Sequence, residues 1–191
     1  MIQTVSLDTA PVQAWRNGGG STRELLVWPR ADAWHCRISV AEIGQDGPFS
    51  AYPSVERWFA VLRGEGVVLR FARCRHRLTP GSAALRFDGA AGPDCELLAG
   101  ATQDLNLMVQ SDAGGGCMQR VQPGADWISA APLRALFTLA GATLQIDGSD
   151  AAQLPAGSLA WSGHAAQQCW RVAALNDSAQ AWWLQFKPHT A

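Results

Sequence analysis

Three arginines, Arg23, Arg37 and Arg57, stand on separate stretches in which apolar and polar residues alternate. On a strand such alternation sends every second side chain to one face, so each guanidinium can point into a barrel that neighbouring strands close. An inward arginine is costly unless paired, and a small dicarboxylate carrying an amide supplies partners through bidentate bonds. Each arginine also has a plain structural alternative: Arg23 can pair with Glu24 and Arg57 with Glu56, or any of the three can face water. Ser50, Tyr52 and Asn106 add polar groups able to bond a formyl or carboxyl oxygen, provided that the fold brings them together. The run Asn17-Gly18-Gly19-Gly20 permits positive φ and close backbone approach, and its successive N–H groups can cradle an anion. A glycine-rich hairpin or bulge without a ligand reads equally well. The run is not a P-loop, because no Gly-Lys-Ser/Thr follows it.

The elements that must position these groups are strands. Short runs rich in Val, Leu, Trp and Phe recur between clusters of Gly, Pro, Asp and Asn, and helical periodicity is hard to find. The pattern predicts an all-β chain with strands at 25–28, 35–43, 58–62, 66–71, 83–86, 96–99 and 104–109, then at 134–139, 143–146, 158–161 and 182–186. A glycine-rich bridge, 112–118, is expected to separate an N-terminal half, 1–111, from a C-terminal half, 119–191. The two halves echo one another. Val61-Leu62-Arg63-Gly64-Glu65-Gly66 followed by Leu78-Thr79-Pro80-Gly81 has its counterpart in Thr138-Leu139-Ala140-Gly141 followed by Leu154-Pro155-Ala156-Gly157, which suggests an internal repeat.

The run from Glu56 through Gly64-Glu65-Gly66 to Pro80-Gly81 resembles the cupin pattern, a Glu before a strand that ends in a Gly-Glu-Gly turn. The positions of the two metal-binding His of that pattern fall on Ser50 and Tyr52, and Glu56 alone remains of the first ligand set. One carboxylate cannot hold a transition metal, so a metal-free barrel without a cofactor is expected. Further runs narrow the resemblance: Trp15-Arg16-Asn17-Gly18-Gly19-Gly20-Ser21-Thr22-Arg23-Glu24, Arg37-Ile38-Ser39, Phe49 to Arg57, and Asp104-Leu105-Asn106-Leu107-Met108. In this order and spacing they are similar to the HutD/Ves family of bicupins. That resemblance implies two RmlC-like jelly-roll barrels in one chain. It also implies a non-enzymatic role linked to histidine utilisation, with a pathway intermediate such as formylglutamate as ligand, while Ves members are associated with cold response. On this basis Asn17, Gly19, Thr22, Arg23, Arg37, Ser50, Tyr52, Glu56, Arg57 and Asn106 are the candidate ligand residues.

Composition excludes several classes. A formal charge of -1 gives no reason to seek nucleic acid, and the basic cluster Arg73 to Arg77 reads as a solvated edge. No apolar run is long enough to span a bilayer and no signal peptide opens the sequence, so the expected address is cytoplasmic and off the membrane. The five cysteines are scattered, with no C-x-x-C pair, and are expected to be buried thiols. Trp15, Trp34, Trp58 and Trp161 can wall a pocket or fill the core, and His35 and His164 read as structural. Two other functions stay open at this stage: a cupin-type isomerase or amide hydrolase with Glu56 as general base, and a regulatory protein whose pocket is vestigial. Exposed strand edges are also compatible with a homodimer.

Overall fold

The structure, a computed structural model, describes residues 2–175 and 180–189. In chain order the described residues form nineteen strands. The first eleven are β1 (Gln3–Ser6), β2 (Val12–Ala14), β3 (Gly20–Trp28), β4 (Cys36–Ile43), β5 (Gly47–Pro48), β6 (Val55–Arg63), β7 (Val67–Arg70), β8 (Arg75–Leu78), β9 (Leu85–Asp88), β10 (Asp94–Leu97) and β11 (Thr102–Gln110). The rest are β12 (Gly114–Arg120), β13 (Asp126–Ser129), β14 (Leu133–Thr138), β15 (Ala142–Ile146), β16 (Ala152–Leu154), β17 (Ser158–Ser162), β18 (Gln168–Leu175) and β19 (Ala181–Pro188). Among the described residues no helix is long and apolar enough to cross a membrane.

The chain divides into two compact units, one of residues Pro11–Gly115 and one that joins the segment ending at Ala10 to the segment starting at Gly116. Residues 2–10, expected with the N-terminal half, therefore belong to the second unit. The reason is backbone pairing: β1 runs antiparallel to β17, from Gln3 opposite Trp161 to Ser6 opposite Ser158. The glycine-rich bridge is likewise corrected. Gly114, Gly115 and Gly116 open β12, an edge strand of a five-stranded sheet, because ladder bonding needs only the main chain and glycine supplies that as well as any residue.

In the unit Pro11–Gly115 a six-stranded sheet, β2-β3-β4-β11-β6-β9, faces a four-stranded sheet, β5-β10-β7-β8. Ile43, Phe59, Val61, Val67, Leu69, Leu78 and Cys95 form the core, with Phe49, Phe71 and Phe87 packed against it. The second unit pairs a five-stranded sheet, β1-β17-β14-β19-β12, with a four-stranded sheet, β13-β18-β15-β16, around Leu136, Leu144, Trp170, Val172 and Trp183.

The repeat read from the sequence is a repeat of structure. Gly66 (φ +106°) and Gly141 (φ +90°) take left-handed backbone at the same point of their hairpins, and the next residues, Val67 and Ala142, pair with Leu78 and Leu154. A Cβ on Gly66 would lie 2.1 Å from the Leu78 carbonyl oxygen, and one on Gly141 3.1 Å from that of Leu154. Glycine is required there by the backbone angle and by this close approach.

Candidate functional site

Within the Pro11–Gly115 unit a cavity of about 600 Å³ opens among β2, β3, β4, β6 and β11 and the loops after β2 and β5. Strand register explains which side chains line it. Thr22, Ala41, Asp104 and Val61 form one row across β3, β4, β11 and β6; Glu24, Ser39, Asn106 and Phe59 form the next; Arg37, Met108 and Arg57 form a third. Because side chains alternate along each strand, one face of the sheet carries Arg37, Ser39 and Ala41, then Asp104, Asn106 and Met108, then Arg57. The intervening residues, among them Ile38, Val40, Leu105, Leu107 and Ala60, are buried on the opposite face.

The centre of the site is a relay of three buried polar side chains. Arg57, 7% exposed, donates from Nη2 to Asn106 Oδ1 at 3.1 Å, and Asn106 Nδ2 donates in turn to Asp104 Oδ1. Arg57 Nε and Asp104 Oδ2 are buried without a hydrogen-bond partner. The rings of Phe49, Phe87 and Tyr52 lie 5.2, 5.2 and 5.7 Å from the guanidinium carbon, so aromatic faces rather than carboxylates surround the charge. Burial lowers the pKa of Arg57, opposed by the charge of Asp104. Burial pushes the Asp104 carboxyl up to about 8, against the opposing pull of Arg57 and of the Asn106 hydrogen bond. Burial thus favours the protonated carboxyl, and to that extent leaves the guanidinium charge without an ionised partner.

Seven of the ten candidate residues line this cavity: Asn17, Thr22, Arg37, Ser50, Tyr52, Arg57 and Asn106. Three do not. Arg23 lies opposite Val40, one position out of phase with the lining residues Thr22 and Ala41. Gly19 is occupied with its own turn: its N–H bonds Asn17 Oδ1 at 3.1 Å and its carbonyl accepts from Gly44 and Gln45. The tight approach at this loop is made by Gly20 toward the Glu42 carbonyl and the Trp15 ring, a structural need for glycine in the hairpin.

Glu56 lies on the opposite face of β6 from Arg57, where it accepts from Trp58 Nε1 at 2.8 Å and pairs with Arg86. It borders a separate cleft of about 570 Å³ with Ser54, Arg86, Asp88 and Ser111. A general base cannot act on a ligand in a cavity behind its own strand, so Glu56 has no reach into the cavity around Arg57 and faces only the separate cleft. The expected partners change as well: Arg37 bonds Glu24 through Nε at 2.9 Å and Nη2 at 2.5 Å, across a bulge at Leu25.

Asp104, Arg16, Ser39, Phe49 and Met108 line the cavity and were not singled out as ligand residues. Of the four tryptophans considered, Trp15 lines it and donates from Nε1 to Thr22 Oγ1 at 2.8 Å. The cysteines are also more varied than expected: Cys36 and Cys95 are buried, each thiol pushed up to about 12 by burial, whereas Cys74 is exposed. Among the described residues no group of three His, Cys, Asp or Glu side chains converges as a metal site would require.

The HutD family profile matches residues 7–181. The chain belongs to the HutD family. Protein Ves of Citrobacter koseri is 36% identical over 104 residues, 53% of this chain and 54% of that protein. An uncharacterized 21.2 kDa protein in the hutC 3′ region of Pseudomonas putida is 32% identical over 109 residues, 56% of this chain and 57% of that one. The chain thus spans about half the length of the curated relatives it matches. Among solved structures, a conserved protein of unknown function from Pseudomonas aeruginosa is 27% identical with a TM-score of 0.88, covering 98% of this chain and 99% of that one. HutD from Pseudomonas fluorescens, solved in a formate condition, is 21% identical with a TM-score of 0.84 over the full length of both. Oxalate decarboxylase of Bacillus subtilis, 9% identical, superposes with a TM-score of 0.63 over 98% of this chain and 78% of its own. This HutD-family chain is accordingly an all-β bicupin.

Proposed function

We propose that this HutD-family protein binds a small carboxylate, a formylglutamate-like intermediate of histidine degradation, in the cavity around Arg57 and thereby modulates histidine utilisation without catalysing a reaction. The observation that carries this reading is the buried Arg57, a cation whose hydrogen bond goes to a neutral amide and whose Nε has no partner. A desolvated guanidinium so placed gains most from an anion that it can bond bidentately. Arg16 and Arg37 line the same cavity, which suits a ligand with more than one carboxylate, and Ser50, Tyr52, Ser39 and Asn106 offer bonds to a formyl group. The relative in the hutC region and the structural likeness to HutD support the histidine-pathway context.

Isothermal titration of the protein with N-formylglutamate, glutamate, urocanate and formate tests the reading. N-formylglutamate is expected to bind with a micromolar-class constant, about -8 kcal/mol. Arg57→Ala should weaken it at least thirtyfold, since removing one side of a buried charge pair costs roughly 2–5 kcal/mol, and Arg57→Lys should recover part of the loss. Absence of heat with all four compounds overturns the proposal.

A further inference from the structure

Asp104 is the one acid among the residues that line the cavity, and it is 1% exposed. It communicates with Arg57 through Asn106, which accepts from the guanidinium with Oδ1 and donates to the carboxyl with Nδ2. The relay is incomplete at both ends, where Arg57 Nε and Asp104 Oδ2 are buried and unpartnered. Its charge state therefore decides what the cavity can hold.

With Asp104 ionised, the single guanidinium at the centre already faces one buried carboxylate, and an entering anion brings a second into the same water-poor space. Two carboxylates sharing one cation cannot both stay ionised without a large penalty. With Asp104 protonated, the guanidinium charge is open and an anion completes it.

We propose that Asp104 makes anion capture by this cavity proton-linked, the anion resting on Arg57 while Asp104 carries a proton, so that an ionised empty site takes up one proton for each anion bound. The inference rests on the reading of this cavity as a carboxylate site. Charge balances: an ionised Asp104, one proton and one anion give a neutral carboxyl beside an anion–guanidinium pair. Asp104 acts through Asn106 and through its charge, as a positioning residue.

The groups around Asp104 leave few competitors for this titration. Its cross-strand neighbours, Ala41 on β4 and Val61 on β6, do not titrate. Cys95 on β10 is a thiol held neutral by burial, and Asp46 acts on that thiol from the loop before β5. Arg57, Arg16 and Arg37 are the basic side chains that line the cavity with it, Arg37 with Glu24 as its partner. Tyr52 is the other lining side chain with a dissociable proton. The elevated carboxyl, about 8 in the empty site, sets the range in which the linkage becomes visible.

Calorimetry of the full chain with N-formylglutamate and with glutarate, in buffers of different ionisation enthalpy from pH 6 to 9.5, tests the proposal. N-formylglutamate does not titrate in that range, and glutarate does not above about pH 7. Proton uptake should be near zero at pH 6 and approach one per anion above pH 9, while Kd rises about tenfold per pH unit above pH 8. Asp104→Asn should abolish the uptake and flatten the pH profile, and Tyr52→Phe should keep both. Binding without uptake and with a flat Kd in the wild-type protein overturns the linkage and leaves the carboxylate reading intact. Failure of both anions to bind at pH 6 overturns the two together. The wild-type proton count decides the matter if Asp104→Asn does not fold.

Discussion

The buried carboxyl should leave a mark on stability even with no anion present. In the folded chain Asp104 releases its proton at about 8, whereas an unfolded aspartate does so near 4. Between these values the native state holds a proton that the unfolded state has lost, so stability must fall as pH rises. This carboxyl's contribution is fully present below about pH 4 and is lost as pH climbs through about 8. Each pH unit in the window is worth about 1.4 kcal/mol, and the whole window roughly 5 kcal/mol, a large part of a typical folding free energy.

Asp104→Asn keeps an acceptor for the Asn106 amide and removes the proton equilibrium, so it should gain on wild type by about 1.4 kcal/mol per pH unit between pH 5 and 7.5 and level off above 8. In urea, with a slope near 2 kcal/mol per molar, this is a relative shift of about 0.7 M in midpoint per pH unit. The assay is urea unfolding of both proteins at half-unit pH steps, with hydrogen exchange of the β11 amides assigning the transition to this unit. Midpoints that move in parallel from pH 5 to 8 would refute the reasoning, because they would mean that Asp104 is ionised in the folded chain and that the relay is an ion pair.

Two further predictions concern residues that flank the site. Gly20→Ala places a Cβ 2.2 Å from the Glu42 carbonyl oxygen and 2.9 Å from the Trp15 ring, so the β3–β4 ladder must shift; a loss of about 2–3 kcal/mol is expected, read as a lower thermal midpoint, with weaker anion binding as the Trp15 wall moves. Glu56→Gln breaks the ion pair with Arg86, whose side chain is 65% exposed, and should cost at most about 1 kcal/mol while carboxylate affinity stays within twofold. A tenfold loss of affinity in that variant would return Glu56 to the site.

Much of this was legible in the residue pattern, and the misses have a common cause. The all-β class, the hairpin repeat and eleven of the strands follow from alternation and from glycine placement, which are local, whereas β1, β2, β5, β8, β12, β13, β16 and β18 lie outside the expected ranges. Face assignment on β6 and β11 is not local, because both strands are covered on both sides. In Asp104-Leu105-Asn106-Leu107-Met108 the alternation by itself allows leucines toward a core and Asp104 toward water, Asn106 alone being a candidate ligand residue. Instead both leucines are 0% exposed on one face and the polar residues line a cavity on the other. On β6, Phe59, Ala60, Val61 and Leu62 are all buried, so periodicity cannot say which of Glu56 and Arg57 points inward. Only the pairing of Met108 with Arg57 and of Asn106 with Phe59 settles it. The bulge at Leu25 is a further non-local event: it shifts β3 against β4 so that Glu24, not a neighbour of Arg37 in sequence, becomes its partner. The pairing of β1 with β17 spans most of the chain and has no local signature at all.

The two units apply one scaffold to different ends, and their buried arginines show how. In the second unit Trp170 and Trp183 enter the core, and Trp127 stacks on Trp183 at 4.7 Å between ring centres, so large indoles occupy its interior. Its buried Arg134 donates to the carbonyls of Ser129, His164 and Ala166, and so fastens the backbone on either side of β14 and β17. Such an arginine is a structural staple, because its charge is spread over main-chain dipoles that cannot leave. Arg57 is buried to a similar degree but bonds one side-chain amide, is ringed by three aromatic faces, and borders open volume. A cation so poorly matched by its own protein destabilises the empty fold, a cost that the proposed carboxylate would relieve. That contrast supports placing the anion in the Pro11–Gly115 unit, with Arg57 as its anchor.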